Sequence, residues 1–304
     1  MQYIEIKGKS IYIVESHHHI LEAWEKYKGA NVITFDWHTD TKDAFNVYAY
    51  WEARKKGNYH AENFQCAREI RRDLLKKYHD EGNITDVISK LRNDEHISFA
   101  TLSNIVNFVF VCSHQSSSFF NSAENNFLIT SWAGCRKDEL ALQRIFAPYR
   151  SPNFNPQEKL YSYHHQRIIE CPLDCVPLSN LNGAPILSYG NFDLVIEDRV
   201  LEPILNNFNE FAYPFSCRGN QQSPYEHREY AAPFFILDFD MDYFPTQKSL
   251  NPKNRHVISN LIKNSCAITI ATENGWSEEK WEDSEPIDFE KNLSSLLHLI
   301  EGAL

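Results

Sequence analysis

Two short segments of the chain alternate acidic or histidine side chains with apolar or small ones. Residues 36–40 read Asp-Trp-His-Thr-Asp, and residues 238–242 read Asp-Phe-Asp-Met-Asp. In extended backbone, alternate side chains share a face, so each segment directs three ligand-type groups to one side. The carboxylate–imidazole–carboxylate set suits a divalent ion such as Mn²⁺. Three uncompensated carboxylates would repel one another, and a bound dication removes that conflict. The alternative is a solvated, polar strand end in each case.

The elements before these segments determine whether the groups can meet. Each segment directly follows an apolar run that predicts a buried strand, at residues 31–35 and 234–237. A third polar segment, His-His-His at residues 17–19, follows a predicted strand at 11–14. One of these histidines could be a ligand, with the other two on the surface. Ligands of open α/β sheets bind beyond the carboxyl ends of strands, so the three segments together could hold two ions that share carboxylates.

The rest of the pattern predicts an α/β fold with a mostly parallel sheet, because short apolar strands alternate with helices. No linker divides the chain, so we expect one domain, 1–304, with a locally basic helical insertion at about 42–92. The first two strands should form a hairpin with Gly8 and Lys9 in its turn. Strands are predicted at 3–6, 11–14, 31–35, 105–112, 126–130, 234–237 and 266–271, and further helices at 20–27, 254–264 and 288–304.

Composition excludes several function classes. The net charge of −11 argues against a nucleic-acid partner, which usually requires a basic surface. No stretch approaches the roughly 18 apolar residues that span a membrane. The start of the chain lacks a signal peptide pattern, and its seven cysteines are scattered, so we expect a cytoplasmic protein with reduced thiols. Nucleotide-binding glycine motifs and a nucleophile elbow are absent. Homo-oligomerisation is left open.

The polar segments resemble the metal-binding motifs of the ureohydrolase superfamily, which includes arginases, agmatinases and deacetylases. Residues 35–40, Phe-Asp-Trp-His-Thr-Asp, are similar to its Asp-Ala-His-x-Asp motif. Residues 237–242, Leu-Asp-Phe-Asp-Met-Asp, are similar to its Leu-Ser-Phe-Asp-x-Asp motif, with Asp238 in place of the serine. Residues 14–17, Val-Glu-Ser-His, are similar to the segment that carries the first histidine ligand. A register shift of two residues would instead make Asp238 and Asp240 the ligands, and this alternative stays open.

The resemblance implies a three-layer α/β/α, arginase-like fold and two Mn²⁺ ions that activate the attacking water. Asp238 would be an outer-shell group or the alternative ligand. By resemblance, one ion would be held by His17, Asp36, Asp40 and Asp240, and the other by His38, Asp36, Asp240 and Asp242.

Two further residues match functional positions of the superfamily. Glu273 follows the strand predicted at 266–271, where arginases carry the glutamate that binds the guanidinium group. An arginine side chain is always charged and presents a planar fork of donors, which a facing carboxylate can accept. His96 precedes a predicted helix, as the proton-relaying histidine of the family does, and His60 and His114 are rivals for this role.

Within the superfamily, the motifs look most like the peptide arginases, which convert arginine residues of ribosomally made precursor peptides to ornithine and urea. The short loop that binds free arginine in other members is here followed by the basic segment at 42–92, which is compatible with a groove for an acidic peptide. A solvated helical cover is the plainer interpretation of that segment. The alternative functions are hydrolysis of free arginine or agmatine, a deacetylase-like amide hydrolase, and a binding protein that keeps the metal site without catalysis.

Overall fold

A computed structural model describes seven parts of the 304-residue chain. They are residues 1–38, 40–56, 61–114, 168–172, 192–201, 234–273 and 288–304. The predicted strand at 126–130 and the rival histidine His60 lie outside these residues.

The chain begins with a two-residue hairpin between β1 (Gln2–Ile6) and β2 (Lys9–Val14). Its turn consists of Lys7 and Gly8, both with positive φ angles, 48° and 82°. Positive φ at both central residues matches the right-handed twist of the strands, and glycine adopts it without steric cost. The prediction that Gly8 and Lys9 form the turn was wrong by one residue, because Lys9 pairs with Ile6 as part of β2.

The described strands form one seven-stranded sheet in the order β1-β2-β7-β6-β3-β4-β5. Only the β1–β2 pair is antiparallel, and the remaining neighbours are parallel. The carboxyl ends of β2, β7, β6 and β3 therefore lie side by side at one edge of the sheet. The remaining strands are β3 (Ala30–Asp36), β4 (Val106–Ser113), β5 (Ile168–Pro172), β6 (Phe235–Asp240) and β7 (Ala267–Ala271).

In the described residues, helices lie between β2 and β3, between β3 and β4, and between β6 and β7, as the pattern of alternating elements predicts. None of the helices in the described part of the chain is both long enough and apolar enough to cross a bilayer. The helices are α1 (Leu21–Lys26), α2 (Asn46–Lys55), α3 (Ala61–Glu81), α4 (Ile84–Ile88), α5 (His96–Leu102), α6 (His256–Asn264) and α7 (Phe289–Ala303).

Strand side chains alternate between two hydrophobic clusters. Ile33 and Phe35 of β3 pack in one cluster with residues of α6 and α7. Val32 of β3 packs in the other cluster with residues of α1, α3, α4 and α5. The structure is thus an α/β fold with a mostly parallel, mixed sheet. The even-numbered side chains of β3 and β6, which include Asp36 and Asp240, share the face of the second cluster.

Candidate metal centre

The polar segments meet at the carboxyl edge of the sheet, the side where the carboxyl-terminal ends of the parallel strands lie. Asp36 ends β3, and Asp240 ends β6, the strand beside it. His17 begins a short 3-10 helix after β2, and Glu273 lies just beyond β7. Because these four strands are adjacent and all parallel to one another, side chains from segments more than 200 residues apart in sequence meet at this edge.

Four buried side chains form what we call the inner group: His17, Asp36, Asp40 and Asp240. Each offers a ligand atom, and these atoms lie within 4.8 Å of one another. His17 Nδ1 is 3.4 Å from Asp36 Oδ2, 3.1 Å from Asp40 Oδ2 and 3.2 Å from Asp240 Oδ2. A set of one imidazole nitrogen and three carboxylate oxygens is suitable for a borderline-to-hard divalent ion.

Three side chains form the outer group: Asp36, His38 and Asp242, whose ligand atoms also lie within 4.8 Å of one another. His38 Nδ1 is 3.3 Å from Asp242 Oδ2. The backbone N–H of His38 donates to Asp36 Oδ1 at 2.7 Å, and that of Trp37 donates to Asp242 Oδ1 at 3.0 Å. Asp36 belongs to both groups. In contrast to the inner residues, the His38 side chain is 46% exposed.

The inner group brings three buried carboxylates close together with one histidine. Burial, with repulsion between neighbouring carboxylates, raises the pKa of Asp36 and of Asp240 well above the ordinary value. Burial also raises the pKa of Asp40 to about 7. Oδ2 of Asp36 is buried without a hydrogen-bond donor among the described residues. A divalent cation would neutralise these carboxylates and bind this oxygen, so the residues fit a metal ion.

His17 is the one basic group inside this cluster. Burial opposes a charge on its ring, but Asp238 and Asp240 outweigh that effect and raise the pKa of His17 well above the ordinary value. The two ring nitrogens face different partners. Nδ1 faces the inner group, whereas Nε2 donates to Asp238 Oδ2 at 2.9 Å.

Asp238, the residue that replaces a serine in the resemblance, is completely buried behind His17. Thr34 Oγ1 donates to its Oδ2 at 2.7 Å, and Thr269 Oγ1 donates to its Oδ1. Neither of the two groups includes Asp238, whereas Asp240 and Asp242 each belong to one. Asp238 therefore lies behind the potential ligand atoms of the two groups.

Glu273 lies next to the inner group, with its carboxylate partly buried. Its Oε1 accepts the backbone N–H of His17 at 3.1 Å. Burial raises the pKa of Glu273, and His17, Asp242 and His38 are close enough to influence it. The residue has a φ of 39°, a strained value for a side chain other than glycine. Such strain persists where the surroundings require it, often at functional sites.

His96 is completely buried, and its ring centroid lies 4.3 Å from that of His17. Its Nδ1 donates to the carbonyl oxygen of Asn93 at 2.6 Å, and its Nε2 is buried without a partner among the described residues. His17, Asp40 and His96 also form a third set of potential ligands. Burial lowers the pKa of His96 well below the ordinary value, so its ring is neutral at pH 7.

The other histidines are placed differently. His114 follows the end of β4 and is buried, with its ring stacked 4.1 Å from Trp37 and its Nε2 donating to the carbonyl oxygen of Tyr243 at 2.8 Å. His18 is partly buried and His19 is exposed, and neither belongs to the inner or outer group.

Sequence reasoning missed the threonines that support the centre. Thr34 and Thr269 each interrupt an apolar strand, in the sequences Val-Ile-Thr-Phe and Ala-Ile-Thr-Ile. A hydroxyl in a buried strand requires a partner, and that requirement is the signal that could have identified them. Their partner is Asp238, between them in the sheet.

No protein-family model matches the chain, and no curated protein matches it significantly.

Proposed function

We propose that the protein is a binuclear manganese hydrolase of the ureohydrolase type. Its reaction would convert arginine residues of a ribosomally made peptide to ornithine and urea. The observation that carries this proposal is the pair of ligand groups at the carboxyl edge of the sheet, joined by the shared carboxylate of Asp36. The set matches, residue by residue, the ligands that the motif resemblance implies, except that Asp240 is absent from the outer group.

The inner group would hold one Mn²⁺ and the outer group, with Asp240 as a further ligand, would hold the other. Asp240 lies close to this group, since one of its oxygens is within 4.8 Å of an oxygen of the shared Asp36 and its carboxylate is repelled by that of Asp242. When bound, two such ions supply a water-derived nucleophile at neutral pH and stabilise the charge that develops during hydrolysis.

Glu273 would orient the substrate. Its Oε1 is held by the backbone of His17, which fixes the carboxylate at the rim of the inner group. The guanidinium fork would donate to this carboxylate. In the reaction, water adds to the guanidinium carbon and the bond from that carbon to the side-chain nitrogen breaks. The ornithine amine leaves with a proton, and urea is released.

His96 is the candidate that would relay this proton. A neutral imidazole accepts a proton from the attacking water and can then give it to the leaving amine. Because the ring is completely buried, this exchange would have to occur within the site rather than with bulk solvent.

The segment after the ligands supports a peptide over free arginine. The carbonyl oxygen of Thr41 accepts from Ser98 Oγ, and that of Ala44 accepts from Arg71 Nε. The backbone N–H of Lys42 donates to the carbonyl oxygen of Asp94. These three backbone groups are therefore engaged within the protein and would not bind the amine or carboxylate of a free amino acid.

The architecture proposed is the three-layer α/β/α, arginase-like fold, with α2, α3 and α4 as the helical insertion. The two hydrophobic clusters on opposite faces of the sheet, each with its own helices, support it.

The test is urea release by the manganese-loaded protein from three substrates: an arginine-containing peptide, free arginine, and an acetyl-lysine peptide as the amide control. We expect urea from the arginine peptide. Glu273→Gln keeps the shape but loses the charge that binds the guanidinium, so kcat/KM should fall about a hundredfold while bound manganese is retained.

Each other outcome selects among the alternatives. Urea from free arginine at the same rate would place the protein with small-molecule ureohydrolases. Acetate without urea would indicate an amide hydrolase, and bound metal with neither product would contradict the hydrolase proposal. A fully active Glu273→Gln variant would remove Glu273 from the substrate site.

A further inference from the structure

A row of polar side chains crosses the sheet directly behind the inner group. The strand register pairs Thr34 of β3 with Asp238 of β6, and Asp238 with Thr269 of β7. All three residues are almost completely buried, on the sheet face that also carries the apolar second cluster and the buried Asp36 and Asp240. Burying a carboxylate is costly unless donors surround it, so this arrangement needs a reason beyond packing.

Asp238 accepts three hydrogen bonds from three different elements. Thr34 and His17 Nε2 both donate to Oδ2, at 2.7 and 2.9 Å, and Thr269 donates to Oδ1. Thr269 in turn accepts the indole N–H of Trp24 in α1 at 3.2 Å. Donors on both neighbouring strands thus hold the Asp238 carboxylate in place. Because an ionised carboxylate can only accept, His17 Nε2 must carry the hydrogen of their shared bond.

We propose that Asp238 is a positioning residue that keeps the proton of His17 on Nε2 and thereby presents Nδ1 to the metal. The inference rests on the metal centre of the proposed function but not on its substrate. A ligating histidine usually donates its second ring N–H to a carboxylate or carbonyl, which fixes its tautomer and orientation. His17 meets that condition, since Nε2 donates to Asp238, while Nδ1 lies within 3.4 Å of a carboxylate oxygen of each inner aspartate.

The geometry favours this role over direct ligation by Asp238. His17 lies between Asp238 and the inner carboxylates, with one ring nitrogen facing each. Three buried donors already occupy most of the lone-pair positions of the Asp238 carboxylate, so a metal bound through Asp238 would compete with them. Any donor displaced in this way would be left buried without a partner, which is unfavourable.

The experiment measures manganese and zinc affinity by competition with a chromophoric chelator. Asp238→Asn keeps the shape and a weaker acceptor, and we expect affinity to fall about tenfold. Asp238→Val removes the acceptor, and we expect a fall of about a hundredfold. Thr34→Val is the matched control, because it removes one donor to the same oxygen without touching His17. It should change affinity by no more than a small factor, and melting temperatures of the metal-free variants report on folding.

A spectroscopic measurement separates positioning from general stability. In zinc-loaded protein with ¹⁵N-labelled histidine, the His17 ring should show a slowly exchanging Nε2–H, assigned by its loss in His17→Asn. This signal should disappear in Asp238→Val.

Unchanged affinity in both Asp238 variants, equal losses in Thr34→Val, or a wild-type protein that binds neither ion would overturn the inference. Weakened metal binding in a protein that releases no urea would support it and contradict only the proposed reaction.

Discussion

The inner and outer groups use similar ligands in different surroundings. The inner group is buried and draws on elements after β2, β3 and β6, with Asp238 behind its histidine. The outer group lies within two neighbouring turns, where backbone N–H groups of residues 37 and 38 hold its carboxylates, and His38 faces solvent. The fold brings both groups together, but it encloses the inner group and leaves the outer group at a solvent-facing pair of turns. We expect the inner site to bind its ion more tightly and exchange it more slowly.

The largest effect should come from the residue common to both groups. Asp36→Asn removes a carboxylate from both ion sites at once, so we expect both to lose most of their affinity. Metal catalysis supplies several kcal/mol of transition-state stabilisation, and urea release should therefore fall about a thousandfold or more. Metal content after dialysis and initial rates of urea release measure the two effects.

Asp43→Asn is the matched control, because Asp43 lies in the loop after the two-aspartate motif, belongs to neither group, and pairs with the largely buried Arg71. It should keep both ions and most of the activity. If Asp36→Asn retained two ions and activity, Asp36 would not be a ligand shared by the two groups.

A smaller effect should appear in the pH dependence of stability of the metal-free protein. Because burial raises the pKa of Asp40 to about 7, the folded state binds a proton that the unfolded state has released. Stability must then fall as the pH rises through 7. Between pH 6.5 and 8 we expect a loss of about 1 kcal/mol from Asp40 alone, or a few degrees in melting temperature.

Other groups do not reverse this sign in that window. The raised pKa of His17 also gives stability that is lost as pH rises. The lowered pKa values of His18, His96 and His114 raise stability with pH, but this effect ends about one pH unit above 6.5, the ordinary histidine pKa. The raised pKa values of Asp36 and Asp240 act with that of Asp40 and lower stability across the window. Excess Mn²⁺ should remove the decline, because bound metal requires ionised carboxylates, and Asp40→Asn should reduce it. A wild-type melting temperature that rises from pH 6.5 to 8 without metal would contradict the buried inner group.

Much of the architecture could be predicted from the sequence, because its strands are apolar runs with clear ends. The predicted strand at 31–35 corresponds to β3, and the segment at 42–92 contains α2, α3 and α4. β5 was missed, since its short sequence Ile-Ile-Glu-Cys-Pro carries no alternation. Its parallel pairing with β4 is a long-range contact that local pattern does not reveal.

The site shows the same division between local and long-range information. Alternating spacing indicated which side chains of residues 36–40 and 238–242 share a face, and the structure places all six of them in or directly behind the two groups together with His17. Among these side chains, that of His38 is the most exposed to solvent. Spacing alone could not separate Asp238 from Asp240, because both lie on the same face of β6. Their difference arises from neighbouring strands, where Thr34 and Thr269 surround only Asp238.

The most direct test of two unequal metal sites is a manganese titration of the wild-type protein, His17→Asn and His38→Asn. We predict two ions per wild-type chain, one bound more tightly than the other. His38→Asn should keep the tight ion and lose the weak one, whereas His17→Asn should lose the tight ion. A single site in the wild-type protein, or loss of the tight ion in His38→Asn but not in His17→Asn, would contradict the account.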